Sequence, residues 1–151
     1  MLVLLTNDDG IDAPGIAAAE KAVLALGWRP VIVAPDTEKS MCGHRVTTHH
    51  PLVVETRGEH RYAVQGTPAD CVRLARFALE LKPDLVLSGV NAGGNMGQDI
   101  VISGTVAAAR EATYHGVRSI AFSHYLKRGV PVDWDRTARW TSKVLGELHH
   151  A

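Results

Sequence analysis

Two adjacent carboxylates, Asp8 and Asp9, stand in the polar segment that follows a short aliphatic run at residues 2–5. Two like charges this close together cost free energy unless a cation or a proton offsets them. Carboxylate, hydroxyl and amide oxygens are the ligands that hard cations such as Mg²⁺, Mn²⁺ or Ca²⁺ prefer. An isolated Asp-Asp-Gly segment is more often a plain turn before a helix, so the pair alone leaves a turn and a metal site open.

A glycine-rich stretch at residues 89–104 carries further polar side chains, among them Asn91 and Asn95. Glycines let the backbone approach a ligand closely. The stretch leads into a predicted helix start at Ser103, Gly104 and Thr105, and such a start can bind phosphate through its free N–H groups. A flexible loop with an ordinary serine cap explains the same residues equally well. Neither the GxxxxGK[ST] nor the GxGxxG motif is present, which weakens NTPase and dinucleotide-binding interpretations.

A second polar loop follows the aliphatic run at residues 31–34 and contains Ser40, Gly43 and His44. We predict that Gly43 and His44 lie near the substrate, although for His44 an ordinary structural role is the more common alternative. The paired histidines at 49–50 and 149–150 lack the spacing of metal ligands and indicate solvated surface.

Short aliphatic runs alternate with helical patterns along the whole chain, which predicts βαβ units and a parallel sheet. We therefore expect an α/β fold, a Rossmann-like three-layer αβα domain with a mainly parallel sheet and a β-hairpin excursion. The last helix is predicted at about 134–148, where packing explains Trp134 and Trp140 better than base stacking does. The predicted strands are 2–5, 31–34, 85–87 and 120–122, the hairpin strands 52–54 and 62–64, and the other helices begin at Pro14, Pro68 and Gly104.

Ligands bind beyond the carboxyl ends of the strands in such a sheet. The segments that follow all four predicted parallel strands contain small, oxygen-bearing residues, and they open on the same edge. This convergence is the main argument from the residues themselves for a functional site, because it brings Asp8 and Asp9 towards Ser40 and Asn91.

The composition sets limits on partners and compartment. The 151 residues have a formal net charge of zero and are 46% hydrophobic, which argues against a nucleic-acid polymer or a membrane surface as partner. The two cysteines, Cys42 and Cys71, form no CxxC pair and are expected to be reduced. With no signal peptide and no apolar run of about 20 residues, we expect a cytoplasmic protein.

Four blocks of the sequence resemble the SurE, or survival protein E, family of nucleotidases. The blocks occur in the family's order and together extend from residue 2 to about residue 123. They are Leu5-Thr6-Asn7-Asp8-Asp9-Gly10-Ile11, Ala34-Pro35-Asp36 leading to Ser40, Gly66-Thr67-Pro68-Ala69-Asp70-Cys71-Val72, and Ser88-Gly89-Val90-Asn91 running through Asn95-Met96-Gly97 to Ser103-Gly104-Thr105-Val106.

The resemblance implies a metal-dependent phosphomonoesterase that hydrolyses nucleoside 5′- and 3′-monophosphates and in some members short polyphosphate. It implies one divalent ion, Mg²⁺ or Mn²⁺ with Ca²⁺ as another occupant, bound by Asp8, Asp9, Ser40 and Asn91. Catalysis would involve Asp8 and Asp9, with either a water molecule or Asp8 as the nucleophile. The phosphate-binding residues implied are Asn95, Ser103, Gly104 and Thr105.

Family members are usually longer, and their C-terminal part holds further sheet, an extended hairpin and a tail that exchange between subunits. We expect a single domain over residues 1–151, with a core at 1–123, a C-terminal helix at about 134–148 and no such extension. Dimers or tetramers like those of the family would then lack the elements that build them.

Two alternatives remain open at this stage. The chain could be a catalytically weak or silent module that binds nucleotides or serves assembly. It could also be a Rossmann-like transferase, although such enzymes usually place a glycine-rich turn where Asp8 and Asp9 stand.

Overall fold

The computed structural model describes residues 1–150, which contain six strands and five helices. The strands are β1 (Leu2–Thr6), β2 (Arg29–Pro35), β3 (Val54–Gly58), β4 (Arg61–Val64), β5 (Leu85–Ala92) and β6 (Arg118–His124). The helices are α1 (Pro14–Ala25), α2 (Pro68–Phe77), α3 (Asp99–Ile102), α4 (Gly104–Tyr114) and α5 (Trp134–His150). No helix within residues 1–150 is both long enough and apolar enough to cross a bilayer.

All six strands form one sheet in the order β3-β4-β2-β1-β5-β6. Every neighbouring pair is parallel except the hairpin formed by β3 and β4, so the predicted α/β class and the hairpin excursion are confirmed. The turn of the hairpin lies at Glu59 and His60, slightly later than the sequence indicates.

Alternate side chains of the strands enter two cores, one on each face of the sheet. Val3 and Leu5 pack with α1 and with Leu145 of α5, whereas Leu4 packs on the opposite face with residues of α2 and α4. The sheet is therefore covered on both faces, and the functional groups are left to its carboxyl edge.

Strand β5 runs further than predicted. Ser88 and Asn91 were expected in a loop, but both belong to β5, and the register against β6 shifts between them. Gly89 makes this irregularity feasible, because it adopts a φ of +125° and a Cβ there would lie 2.3 Å from the carbonyl oxygen of Phe122. A bulge of this kind re-aims the side chains that follow it, and Asn91 is the second residue after Gly89.

In the second half of the chain, one expectation was wrong and one helix was not predicted. Trp134 packs against the core, but Trp140 is 62% exposed, and the buried face of α5 consists of Thr137, Ala138, Thr141 and Leu145. The short helix α3 was also missed within the glycine-rich stretch.

Asp70 ties the start of α2 to the long loop before β3. It is 1% exposed and accepts hydrogen bonds from the backbone N–H of Thr67 at 2.9 Å and from the N–H and hydroxyl of Thr47, both at 2.8 Å. In return its own N–H donates to the Thr67 hydroxyl at 3.2 Å, which completes the predicted capping box.

Replacing Asp70 by alanine leaves one buried and two part-buried donors without their acceptor, and we expect a loss of about 3 kcal/mol in the free energy of unfolding. Urea unfolding followed by circular dichroism measures it. Asp135→Ala is the matched control, because it removes an ion pair with Lys21 whose side chains are 64% and 70% exposed, and we expect less than about 1 kcal/mol there. Equal losses in the two variants would contradict this account of Asp70.

Candidate metal and phosphate site

Asp8 and Asp9 begin the loop after β1, and the structure fixes each of them through one carboxylate oxygen. Asp8 is 5% exposed, and the hydroxyl of Thr105 donates to its Oδ1 at 2.7 Å. Asp9 is less buried, and the backbone N–H of Ala92 donates to its Oδ2 at 2.9 Å. Each carboxylate therefore keeps its second oxygen for another partner.

The surroundings of both carboxylates oppose their ionisation. Burial raises the pKa of Asp8 above its ordinary value, although hydrogen bonds from Thr105 offset part of the effect. Burial also raises the pKa of Asp9, with a smaller contribution from the neighbouring charge of Asp8. A bound cation would reverse this balance, since it favours the ionised form of both groups.

The side-chain amides of Asn91 and Asn95 use different atoms in their hydrogen bonds, so a different atom of each is left for a ligand. The Nδ2 of Asn91 donates to the carbonyl oxygen of Gly93 at 2.7 Å, which leaves its Oδ1 as an acceptor suited to a cation. The Oδ1 of Asn95 accepts from the hydroxyl of Ser123 at 2.5 Å, which leaves its Nδ2 as a donor suited to an anion.

Ser40 lies on the loop after β2 and donates its hydroxyl hydrogen to Glu38, so its oxygen lone pairs stay available. The loop is held against Asp8 by the backbone N–H of Lys39, which donates to the Asp8 carbonyl oxygen at 2.7 Å. Met41, which follows Ser40, adopts a φ of +54°, a left-handed conformation that side chains other than glycine seldom take.

A cavity of about 290 Å³ joins these groups. Six of the predicted site residues line it, namely Asp8, Asp9, Ser40, Asn91, Asn95 and Ser103. Glu38, Met41, Ala92, Gly94, Asp99 and Ile102 complete the lining. The four predicted metal-binding residues thus meet two of the predicted phosphate-binding residues in one space.

Four other predicted site residues do not line this cavity. Gly104 and Thr105 lie behind Asp8, where the Thr105 hydroxyl is committed to the Asp8 carboxylate. Gly43 donates its N–H to the carbonyl oxygen of Ile102 at 2.9 Å, and the His44 ring bonds to Glu111.

Glycine is required at position 104 because Cys42 and Asp8 approach its backbone closely. A Cβ at this position would lie 2.8 Å from the sulfur of Cys42 and 2.9 Å from the Cβ of Asp8. The first turn of α4, the Ser40 loop and the loop after β1 therefore meet at a point with no room for a methyl group. Ser103 caps the helix here by accepting the N–H of Val106 at 3.1 Å.

The donor set fits a hard cation. Among residues 1–150, no three His, Cys, Asp or Glu side chains form a group that could hold a metal by themselves. The predicted set instead combines two carboxylates with one hydroxyl and one amide oxygen, an all-oxygen combination suited to Mg²⁺, Mn²⁺ or Ca²⁺ and poorly suited to a soft metal.

Sequence reasoning did not single out Glu38 and Asp99, which also line the cavity. Both stand in the polar stretches that were expected to reach this edge, but nothing in their spacing separates them from other surface acids. The hydrogen bond from Ser40 to Glu38 is visible only in the three-dimensional structure.

Asp8→Asn should have opposite effects on stability without and with metal. Because folding raises the pKa of Asp8, the metal-free protein loses stability as pH rises from the ordinary aspartate pKa through the raised value. At neutral pH the substitution removes this cost, and we expect Asp8→Asn to be more stable than the wild type in EDTA. With Mn²⁺ the wild type should become the more stable protein, since the ion stabilises the state that binds it. Thermal unfolding in EDTA and in Mn²⁺ checks both signs, and equal stabilisation of both proteins by Mn²⁺ would refute the role of Asp8.

Gly104→Ala should force the Ser40 loop and Asp8 apart. We expect Mn²⁺ affinity to fall about tenfold or more, as measured by isothermal titration calorimetry. Gly146→Ala on α5 is the control, because its Cβ would meet only the Leu26 side chain at an ordinary 3.6 Å, and we expect its affinity to be unchanged. Wild-type affinity in Gly104→Ala would show that this packing does not shape the ion site.

Comparisons with known proteins agree with the four sequence blocks. Residues 3–151 match the family described as Survival protein SurE. A relative from Nostoc sp., provisionally named a 5′-nucleotidase, is 50% identical over 150 residues, which are 99% of this chain and 66% of the relative. The 5′-nucleotidase SurE of Paramagnetospirillum magneticum is 45% identical over 97% of this chain and 57% of its own length.

The fold has a counterpart among solved structures. The crystal structure of the SurE protein from Aquifex aeolicus superposes with a TM-score of 0.90 at 42% identity, covering 98% of this chain and 60% of that one. The chain thus spans roughly 57–66% of the length of these relatives. On the family match and the shared fold together, the chain belongs to the SurE family.

Proposed function

We propose that this chain forms the catalytic domain of a metal-dependent phosphomonoesterase that hydrolyses nucleoside 5′-monophosphates, with 3′-monophosphates and short polyphosphate as further substrates. One observation carries the proposal. A single cavity presents carboxylate, hydroxyl and amide oxygens for a cation beside the Asn95 amide nitrogen, a donor for an anion. The names of the relatives, 5′-nucleotidase SurE, support the substrate class.

Asp8, Asp9, Ser40 and Asn91 would hold one Mg²⁺ or Mn²⁺ ion. When bound, such an ion supplies positive charge to the phosphoryl oxygens and lowers the pKa of water. The Nδ2 of Asn95 would orient the phosphate by donating to one of its oxygens, which limits the freedom of the reacting group. Thr105 would act indirectly, by holding the Asp8 carboxylate through its Oδ1.

In the reaction, water attacks phosphorus, the bond from phosphorus to the nucleoside oxygen breaks, and the proton that the water loses ends on the leaving oxygen. The Asp8 carboxylate would accept this proton from the water and return it to the leaving oxygen. A competing scheme has Asp8 itself attack phosphorus and form an acyl phosphate. Mass spectrometry of enzyme quenched during turnover separates the two, because only the second adds the mass of one phosphoryl group to the chain.

Phosphate release from a panel of nucleoside 5′- and 3′-monophosphates tests the proposal. We expect activity that EDTA abolishes and Mn²⁺ or Mg²⁺ restores. Asp9→Asn should lower kcat/KM at least about a hundredfold, since it removes a direct ligand of the ion. Asp135→Asn, an exposed change on α5, should leave kcat/KM unaltered.

Turnover that persists in EDTA would refute the metal mechanism. Nucleotide binding without phosphate release under any divalent ion would instead indicate a silent nucleotide-binding module.

A further inference from the structure

A buried carboxylate outside the cavity collects three side-chain partners. Glu111 lies on α4, and its side chain is 5% exposed. Its two oxygens lie 2.6 Å from the Nε2 of His44, 2.7 Å from the Nε2 of His115 and 3.0 Å from the Nη1 of Arg73. Burial by itself raises the pKa of Glu111, but these hydrogen bonds together bring it below its ordinary value, so the carboxylate is ionised.

An ionised carboxylate in this position is costly unless it is fully paired. The rest of the buried face of α4 is made mainly of small residues such as Ala107, Ala108 and Ala112. Glu111 is the one charged residue on this buried face. The reason for a buried charge at this position must therefore lie in the side chains that the carboxylate binds.

The three partners belong to different parts of the chain. Arg73 comes from α2, and His115 lies one turn further along the end of α4 itself. His44 alone comes from the loop that carries Ser40. Its ring is fixed on three sides, since Arg110 donates to Nδ1 at 3.5 Å, Glu111 accepts from Nε2, and the Tyr114 ring stacks on it with centroids 5.7 Å apart and planes 9° apart.

Ser40 lies in a short span between anchored residues. On one side the N–H of Lys39 bonds to Asp8, and on the other the N–H of Gly43 bonds to Ile102, followed at once by the bond between His44 and Glu111. Within the span, the left-handed Met41 has an unfavourable backbone conformation that the anchors must maintain.

We propose that Glu111 is a positioning residue, which through His44 holds the loop at residues 39–44 in the conformation that brings Ser40 to the cation site. This inference rests on the proposed function, because it assigns Ser40 to the ion. Glu111 does not line the cavity, and its loss would weaken ion binding by loosening the loop.

Glu111 and two of its partners, His44 and His115, supply matched variants. Glu111→Gln and His44→Ala remove the link to the loop, whereas His115→Gln alters a bond to the same carboxylate on the same helix and leaves the loop in place. We expect the Kd for Mn²⁺, measured by calorimetry, to rise about tenfold in the first two and to stay at the wild-type value in the third. The double variant of Glu111 and His44 should be no weaker than the single variants, because both break one connection.

Hydrogen exchange of the metal-free proteins gives a readout that is independent of the ion. The amides of residues 39–44 should exchange about tenfold faster in Glu111→Gln and His44→Ala than in the wild type, with no change in His115→Gln. His44→Gln, whose amide can still donate to Glu111, should restore slow exchange. If Glu111→Gln does not fold, the His44 variants still test the proposal, because they break the same link from the side of the loop.

The outcomes separate the two proposals. Wild-type Kd and exchange in His44→Ala would overturn the positioning role and leave the proposed function intact. An equal change in Kd and exchange rate in His115→Gln would also overturn the positioning role, because Glu111 would then contribute only to general stability. A wild type that binds no Mn²⁺ would refute the cation site itself, while the exchange data would still show whether Glu111 holds the loop.

Discussion

A buried carboxylate at the end of β1 is the constraint around which the other loops are arranged. Asp8 is removed from water by Gly104, Cys42 and the start of α4, and the Thr105 hydroxyl and the Lys39 N–H attach two other segments to it. The hydrogen bond from Thr105 lowers the cost of burying the carboxylate, but burial still holds the pKa of Asp8 above its ordinary value. The negative charge of the buried carboxylate is therefore only partly compensated, and a bound cation would complete the compensation.

The parallel sheet explains why so few residues suffice to build this arrangement. Strands β1, β2 and β5 are neighbours and run in the same direction, so their carboxyl ends deliver Asp8, the Ser40 loop and Asn91 to one edge. Both faces of the sheet are filled by apolar cores, which keep the strands in register. Polar residues are left for the edge, where the amides of Asn91 and Asn95 can be oriented by single hydrogen bonds.

Local patterns were sufficient to predict most of the fold, because strand alternation, Pro14, Thr67 and Asp70 act through near neighbours. The same patterns brought Asp8, Asp9, Ser40 and Asn91 to one edge. They could not predict the extension of β5 past Gly89, since that bulge depends on the distant Phe122 backbone. Nor could they assign His44, whose partner Glu111 is 67 residues away. Trp140 was misplaced because its helical spacing did not reveal which face of α5 turns inward.

The contact between Asp8 and Thr105 spans 97 residues, and this separation has a consequence for synthesis of the protein. A chain emerging from the ribosome forms its N-terminal part first. Strands β1 and β2 can exist well before Thr105 has been made, but until then the carboxylate at the end of β1 has neither its hydroxyl partner nor the helix that covers it. Nascent chains in which Thr105 has not yet been made would thus keep Asp8 in water, and the candidate ion site would form only after that residue and the helix that follows it have been synthesised.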